Sequence, residues 1–213
     1  MNWRVILVLM ALGKDYSAQD CSLARALEVI GERWTLLVLR DCFVGVRRFG
    51  DFCAHLDIPR AVLTDRLKAL VAAGLLERRA HPTGHEYVLT ARGLALWPAV
   101  FALAQWGEEH FAPATGPRRI FSHATCGTDI ASTGLCPRCR DVPGPADLVV
   151  RHGPGADPSL RHDPISAALR RPHRLLTALP PRPDVGNRGR DTVPGSTLPV
   201  SNAATGTDRP DDR

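Results

Sequence analysis

The stretch from Ile58 to Leu89, IPRAVLTDRLKALVAAGLLERRAHPTGHEYVL, constrains this chain more than any other. Val62, Leu63, Leu67, Leu70 and Val71 recur at intervals that gather on one face of a helix. Arg60, Thr64 and Lys68 line the opposite face, with Asp65 and Arg66 beside them. Pro59 suits the start of this helix, where its missing N–H would have no intrahelical partner anyway. Gly74 suits its end, because glycine takes the left-handed conformation without a Cβ penalty. Leu75 to Ala80 and Glu86 to Leu89 then flank Pro82-Thr83-Gly84, a turn signal between two short apolar-polar runs. The expectation is a cationic helix, a tight exit and a small hairpin.

Two readings fit that expectation. In one, the helix is a solvated amphipathic element followed by an ordinary hairpin. In the other it is a winged helix: the helix fills a major groove of DNA while the hairpin reaches an adjacent backbone or minor groove. Arg78, Arg79, His81 and His85 are then the candidate wing contacts. Arg60, Ala61, Thr64 and Asp65, near the helix N-terminus, come closest to base edges, and Lys68 meets phosphate. Arg47 and Arg48, in the turn before the preceding helix, are candidates to clamp a phosphate beside helix N–H groups.

Upstream, Leu23, Ala26, Leu27 and Ile30 share one helical face, with Ser22 a candidate N-cap. Gly31 interrupts the pattern, and Trp34 to Arg40 resumes it as a nearly all-apolar helix expected to be buried on most sides. Phe49, Phe52 and Leu56 indicate a third short helix. Downstream, Thr90 caps a long helix expected over Ala91 to Phe111, with Pro98 a candidate kink. Its apolar face is wider than the winged segment alone can cover, which points to a dimer interface.

Net charge of +5 at neutral pH and pI near 9.1 fit a polyanionic partner without requiring one. No apolar run approaches the roughly 18 residues of a membrane span. The opening MNWRVILVLMALG mimics a short secretory leader but lacks a small-x-small cleavage site. Met10 is an alternative initiator that would make the first nine residues an upstream extension, and a cytoplasmic location is expected. No glycine-rich phosphate loop, nucleophile elbow or HExxH motif occurs, so no catalysis is expected.

Taken together, CSLARALEVIGERWTLLVLRDCFVGVRRFGDF, PRAVLTDRLKALVAAGLLERR and EYVLTARG, running from about Cys21 to Phe111, resemble the HxlR-type winged helix-turn-helix transcriptional regulators. The resemblance implies a homodimer joined through the first and last helices of the winged domain, with two recognition helices in successive major grooves. A pseudo-palindromic operator with half-sites about one helical turn apart follows, and a repressor is the expected role. Family members commonly carry a hydroxyl or small residue where Pro59 stands and a polar one where Ala61 stands, so operator preference does not transfer. Cys21 matches a position at which some relatives carry a redox- or electrophile-sensing cysteine. An inert, half-buried thiol is the alternative there. An unknown small-molecule or electrophile effector is a further expected partner.

The six cysteines fall in two regions, unlike a secreted disulfide framework. Cys42 and Cys53 occupy apolar helix faces and read as small core residues. Beyond Pro113, His123-x-x-Cys126 and Cys136-Pro137-x-Cys139 resemble the two knuckles of a zinc ribbon. One histidine and three cysteines would close a tetrahedral structural zinc site, although the cysteines could instead include a reducible disulfide. After about Gly153 the chain turns rich in Pro, Arg, Asp and Gly, with one short basic helix conceivable over Ile165 to Leu179, interrupted by Pro172.

The expected architecture is mainly α with a small β-hairpin. It comprises an N-terminal extension over 1–20, a winged helix-turn-helix domain over 21–115, a zinc-ribbon-like module over 120–153 and a largely disordered tail over 154–213. The expected function is a sequence-specific DNA-binding regulator. The alternative is a winged-helix and zinc-knuckle module that binds protein and not DNA.

Overall fold

Four helices lead into the hairpin. The computed structural model describes residues 16–82 and 84–180; the alternative start at Met10 and the tail after residue 180 lie outside them. Helix α1 (Ser22–Ile30) buries only Ala24 and leaves Leu23 and Leu27 exposed. Its N-cap is the extended Cys21, so Ser22, the expected cap, is the first helical residue and caps nothing. Helix α2 (Thr35–Phe43) buries Val38, Leu39, Cys42 and Phe43, as its apolar run requires. Helix α3 (Phe49–Leu56) buries Phe52 and Leu56.

Helix α4 (Arg60–Ala72) turns Leu63, Leu67 and Leu70 into the same core. It ends as the glycine predicts. Gly74 adopts φ +68°, its N–H donates to the Val71 carbonyl, and the Leu75 N–H donates to the Leu70 carbonyl. These two bonds satisfy carbonyls that the end of a helix otherwise leaves open. Strands β1 (Leu76–His81) and β2 (Gly84–Leu89) pair antiparallel, with Leu76 opposite Leu89 and His81 opposite Gly84.

The long helix expected after Thr90 is two helices. The Thr90 hydroxyl accepts from the Gly93 N–H at 3.1 Å and starts α5 (Ala91–Leu94), and α6 (Trp97–Phe111) follows. Pro98 causes the break, since it has no N–H for the Leu94 carbonyl and its ring crowds that group.

The remaining described chain builds a second sheet of order β3-β4-β5, from β3 (Arg119–His123), β4 (Leu148–His152) and β5 (His173–Arg174). A short helix, α7 (Pro164–Ala168), precedes β5 and is capped by the Asp163 carboxylate, which accepts from the Ile165 and Ser166 N–H groups. The expectation of a largely disordered tail from residue 154 therefore fails over 154–180. Ile165 and Leu169 enter the winged-domain core, and Leu175 enters a second core. The helix conceived over Ile165 to Leu179 shrinks to α7, because Pro172 and the turn to β5 end it.

Part of the apolar face of α6 is covered within the chain: Trp97, Val100 and Phe101 pack with Phe43, Leu148, Val150 and Leu175. Each such side chain contributes about 1.5–3 kcal/mol on burial. Leu103, Trp106 and Phe111 remain more than half exposed. The C-terminal segment is also stitched to the winged domain through its backbone. The Leu176 N–H donates to the Phe43 carbonyl at 2.8 Å and the Leu179 N–H to the Gly45 carbonyl at 3.3 Å. Gly45 has φ +91°, and a Cβ there would lie 1.9 Å from the Thr177 carbonyl oxygen, so only glycine permits this approach. Among the described residues no helix is long and apolar enough to cross a membrane.

Candidate nucleic-acid interface and metal centre

Because Leu63, Leu67 and Leu70 anchor α4, the helix presents Arg60, Ala61, Asp65 and Lys68 to solvent. A groove of about 630 Å³ runs between α4 and the hairpin. Thr64 and Lys68 line it from the helix, Arg78 and His85 line it from the strands, and Phe49 and Tyr87 contribute to its wall. Four of the expected contact residues thus meet in one concave, cationic surface. Arg60 stacks its guanidinium 4.9 Å over the Phe49 ring, a contact that restrains a long side chain without consuming its donors. The Thr64 hydroxyl donates to the Arg60 carbonyl at 2.8 Å, which leaves its oxygen free to accept.

The hairpin holds its own cations in place. Arg78 donates to His85 Nδ1 at 3.1 Å, and Arg79 pairs with Glu77 at 2.9 Å. Arg47 and Arg48, the candidate phosphate clamp, are tied to the hairpin. The Arg47 carbonyl accepts from the Tyr87 N–H, so this segment runs along the edge of the hairpin. Arg48 donates to His81 Nε2 at 3.1 Å and lies 3.8 Å from Glu86. Arg47 lies 3.9 Å from Glu86 and donates to the Leu176 carbonyl at 3.0 Å. Glu86 is the residue that sequence reasoning missed; its place in a short polar run carries no signal that it gathers Arg47, Arg48 and His81.

The cysteines divide as their surroundings dictate. Cys21 is exposed at the start of α1, and Cys53 is half-buried. Cys42 is buried, and burial beside Asp41 pushes its thiol far above the ordinary range. Cys126, Cys136 and Cys139 are free thiols, not a disulfide, and converge with His123.

The convergence comes from two matched turns. The His123 N–H donates to the Thr128 carbonyl, and the Gly127 N–H donates back to the His123 carbonyl. In the second turn the Cys136 N–H donates to the Asp141 carbonyl, and the Arg140 N–H donates to the Cys136 carbonyl. All four bonds are 2.8 Å. Each turn passes through a left-handed residue just after its second ligand, Gly127 at φ +70° and Arg140 at φ +58°. The four ligand atoms lie within 4.8 Å of one another, with Cys126 Sγ 3.7 Å from His123 Nδ1 and 3.6 Å from Cys136 Sγ. A tetrahedron with metal–sulfur bonds of about 2.3 Å has edges of about 3.8 Å, so the cluster can hold a metal ion. Hydrogen bonds from Thr128 lower the Cys126 thiol to about 6. Its interaction with that thiol in turn raises Cys139 to about 12.

The architecture is that of a winged helix-turn-helix protein with an appended C-terminal module, and comparison with known proteins agrees. Residues 29–115 match the model of the HxlR-like helix-turn-helix family. The chain is 42% identical over 137 residues to the uncharacterized HTH-type transcriptional regulator Rv3095 of Mycobacterium tuberculosis, covering 63% of this chain and 87% of the relative. It is 32% identical over 106 residues to the HTH-type transcriptional regulator YdeP of Bacillus subtilis, covering 46% of this chain and 83% of that one. The crystal structure of PA1607, a candidate transcription factor, superposes with a TM-score of 0.51 at 30% identity, covering 64% of this chain and 87% of the other. The chain belongs to the HxlR-like helix-turn-helix family of transcriptional regulators. The mycobacterial match is too long to fit within residues 1–115, so it runs on into the C-terminal module.

Proposed function

We propose that the protein is a sequence-specific DNA-binding repressor that acts as a homodimer on a pseudo-palindromic operator. The observation that carries this reading is the groove in which Thr64 and Lys68 of the recognition helix face Arg78 and His85 of the wing. Base-edge readout falls to Arg60, Ala61, Thr64 and Asp65 at the start of α4, and phosphate contact to Lys68, Arg78, Arg79 and His85. Arg48 and His81 reach the backbone from the hairpin edge, while Arg47 mainly braces that edge. Dimerisation is supported by the apolar side chains left open on α1 and α6, namely Leu23, Leu27, Leu103, Trp106 and Phe111. Two symmetry-related recognition helices then reach half-sites about one helical turn apart.

The four-ligand cluster is assigned to zinc on its donor set of three thiols and one imidazole in a closed, half-buried site. Its role is structural: it would pin the loop between β3 and β4. The deciding experiment is fluorescence anisotropy of the purified protein on DNA from its own upstream region, against random duplex, across a salt series. Tighter binding to upstream DNA, falling log-linearly with salt at about −0.9 per neutralised phosphate, is the expected result. A stable dimer that binds no duplex would instead favour a protein-interaction module.

A further inference from the structure

A cavity of about 140 Å³ opens between α6 and the second sheet, remote in kind from the DNA-facing groove. Four rings bound it: Phe43, Trp97, Phe101 and Phe121, whose neighbouring centroids lie 5.0–5.8 Å apart. Arg40 and Arg119 also line it. This is an apolar, aromatic chamber of the size that holds one ring; an engineered apolar cavity of about 150 Å³ takes up benzene.

The charges around it do not balance. Asp41 accepts from Arg40 and also lies 2.8 Å from His55 Nδ1, so its carboxylate is committed twice. Glu108, which also lines the cavity, accepts from the Arg118 N–H at 3.0 Å and lies 3.6 Å from the Arg118 guanidinium. Arg119 is left over. Its guanidinium makes no hydrogen bond or ion pair to another described residue, yet it is half-buried beside Arg40. Burial and the neighbouring Arg40 both disfavour its charged form, and the Glu108 carboxylate offsets them only in part, so an anion in the cavity would relieve what remains.

We propose that this cavity is a binding site for a monocyclic aromatic carboxylate, its ring among Phe43, Trp97, Phe101 and Phe121 and its carboxylate on Arg119, with Arg40 alongside. Ring stacking supplies apolar affinity, and a guanidinium–carboxylate pair fixes orientation. The site exists only because the C-terminal module docks on α6, since Arg119 and Phe121 come from β3 and Phe43, Trp97 and Phe101 from the winged segment.

The test is calorimetric titration of the full chain, without DNA, so its outcome is independent of operator recognition. Benzoate is the probe and benzamide its neutral counterpart. Benzoate should bind once per chain, and benzamide about tenfold or more weaker, the loss expected for one charge-assisted pair. Arg119→Gln should abolish that preference, and Arg119→Lys should keep most of it. Ala104→Leu, on the exposed side of α6 at the cavity lining, should block both ligands without touching the charge. Equal affinity for benzoate and benzamide, no heat at millimolar benzoate, or an Arg119→Gln protein with unchanged preference would each overturn the assignment. Should Arg119→Gln not fold, the benzoate–benzamide ratio and Ala104→Leu decide it alone.

Discussion

Asp41 on α2 and His55 on α3 meet in the core, the fully buried carboxylate 2.8 Å from the imidazole Nδ1. The His55 backbone carbonyl accepts from the Arg161 guanidinium, so this one contact also seats the segment ahead of α7. Asp41→Ala should cost about 3 kcal/mol, because it strands donors from Arg40 and His55. Urea denaturation checks this. A value near zero would mean that the pair only fills space.

Arg60→Ala should weaken operator binding by about 1–3 kcal/mol and relax preference at one base pair, with random DNA scarcely affected. Lys68→Ala should weaken all duplexes alike and flatten the salt slope by about one unit. Arg48→Ala is a poorer phosphate probe than its sequence position suggests, since it also releases His81 and Glu86. Equal loss on operator and random DNA for Arg60→Ala would remove it from base readout.

Protein purified without added metal should carry close to one zinc per chain by plasma emission analysis. Cys136→Ser, at the fully buried ligand, should lose it and lower the melting temperature. Absence of zinc from the unmodified protein would refute the structural site.

Trp106→Glu places a charge where an exposed indole now stands at 55% accessibility on α6. Sedimentation velocity should show a dimer for the natural chain and a monomer for the variant. An unchanged dimer would place the interface elsewhere.

Gly45→Ala should destabilise by more than about 2 kcal/mol, since the left-handed backbone and the Thr177 carbonyl both oppose a methyl group. Limited proteolysis should then cut first near residues 170–180. Unaltered cleavage would mean that the segment has another anchor.

The winged domain was legible because its signals are local. Leu63, Leu67 and Leu70 repeat at helical spacing, Gly74 stops the helix, and the hairpin follows within a few residues. The ligand spacing of His123, Cys126, Cys136 and Cys139 is local too. The docking of residues 154–180 was not legible. Ile165, Leu169 and Leu175 obey no strand period and sit among Pro and Arg, so their burial depends on gaps shaped by α2, α3 and β4. The same holds for Glu86 and Arg119, which meet Arg47, Arg48 and Arg40 from far upstream in the chain. Pro98 carried the information for the break between α5 and α6, but as a kink of unstated size.

The bond from Arg47 to the Leu176 carbonyl joins residues 129 positions apart, and those from Leu176 and Leu179 to Phe43 and Gly45 span similar lengths. Contacts of such separation are slow to form, because a long loop must close before they repay its entropy. During synthesis the α2–α3 core therefore waits, incomplete, for Ile165 and Leu169 to emerge, and the second core for Leu175. A truncated product ending before them would carry every candidate DNA contact and still lack part of its interior, leaving it to chaperones and proteases before it could occupy an operator.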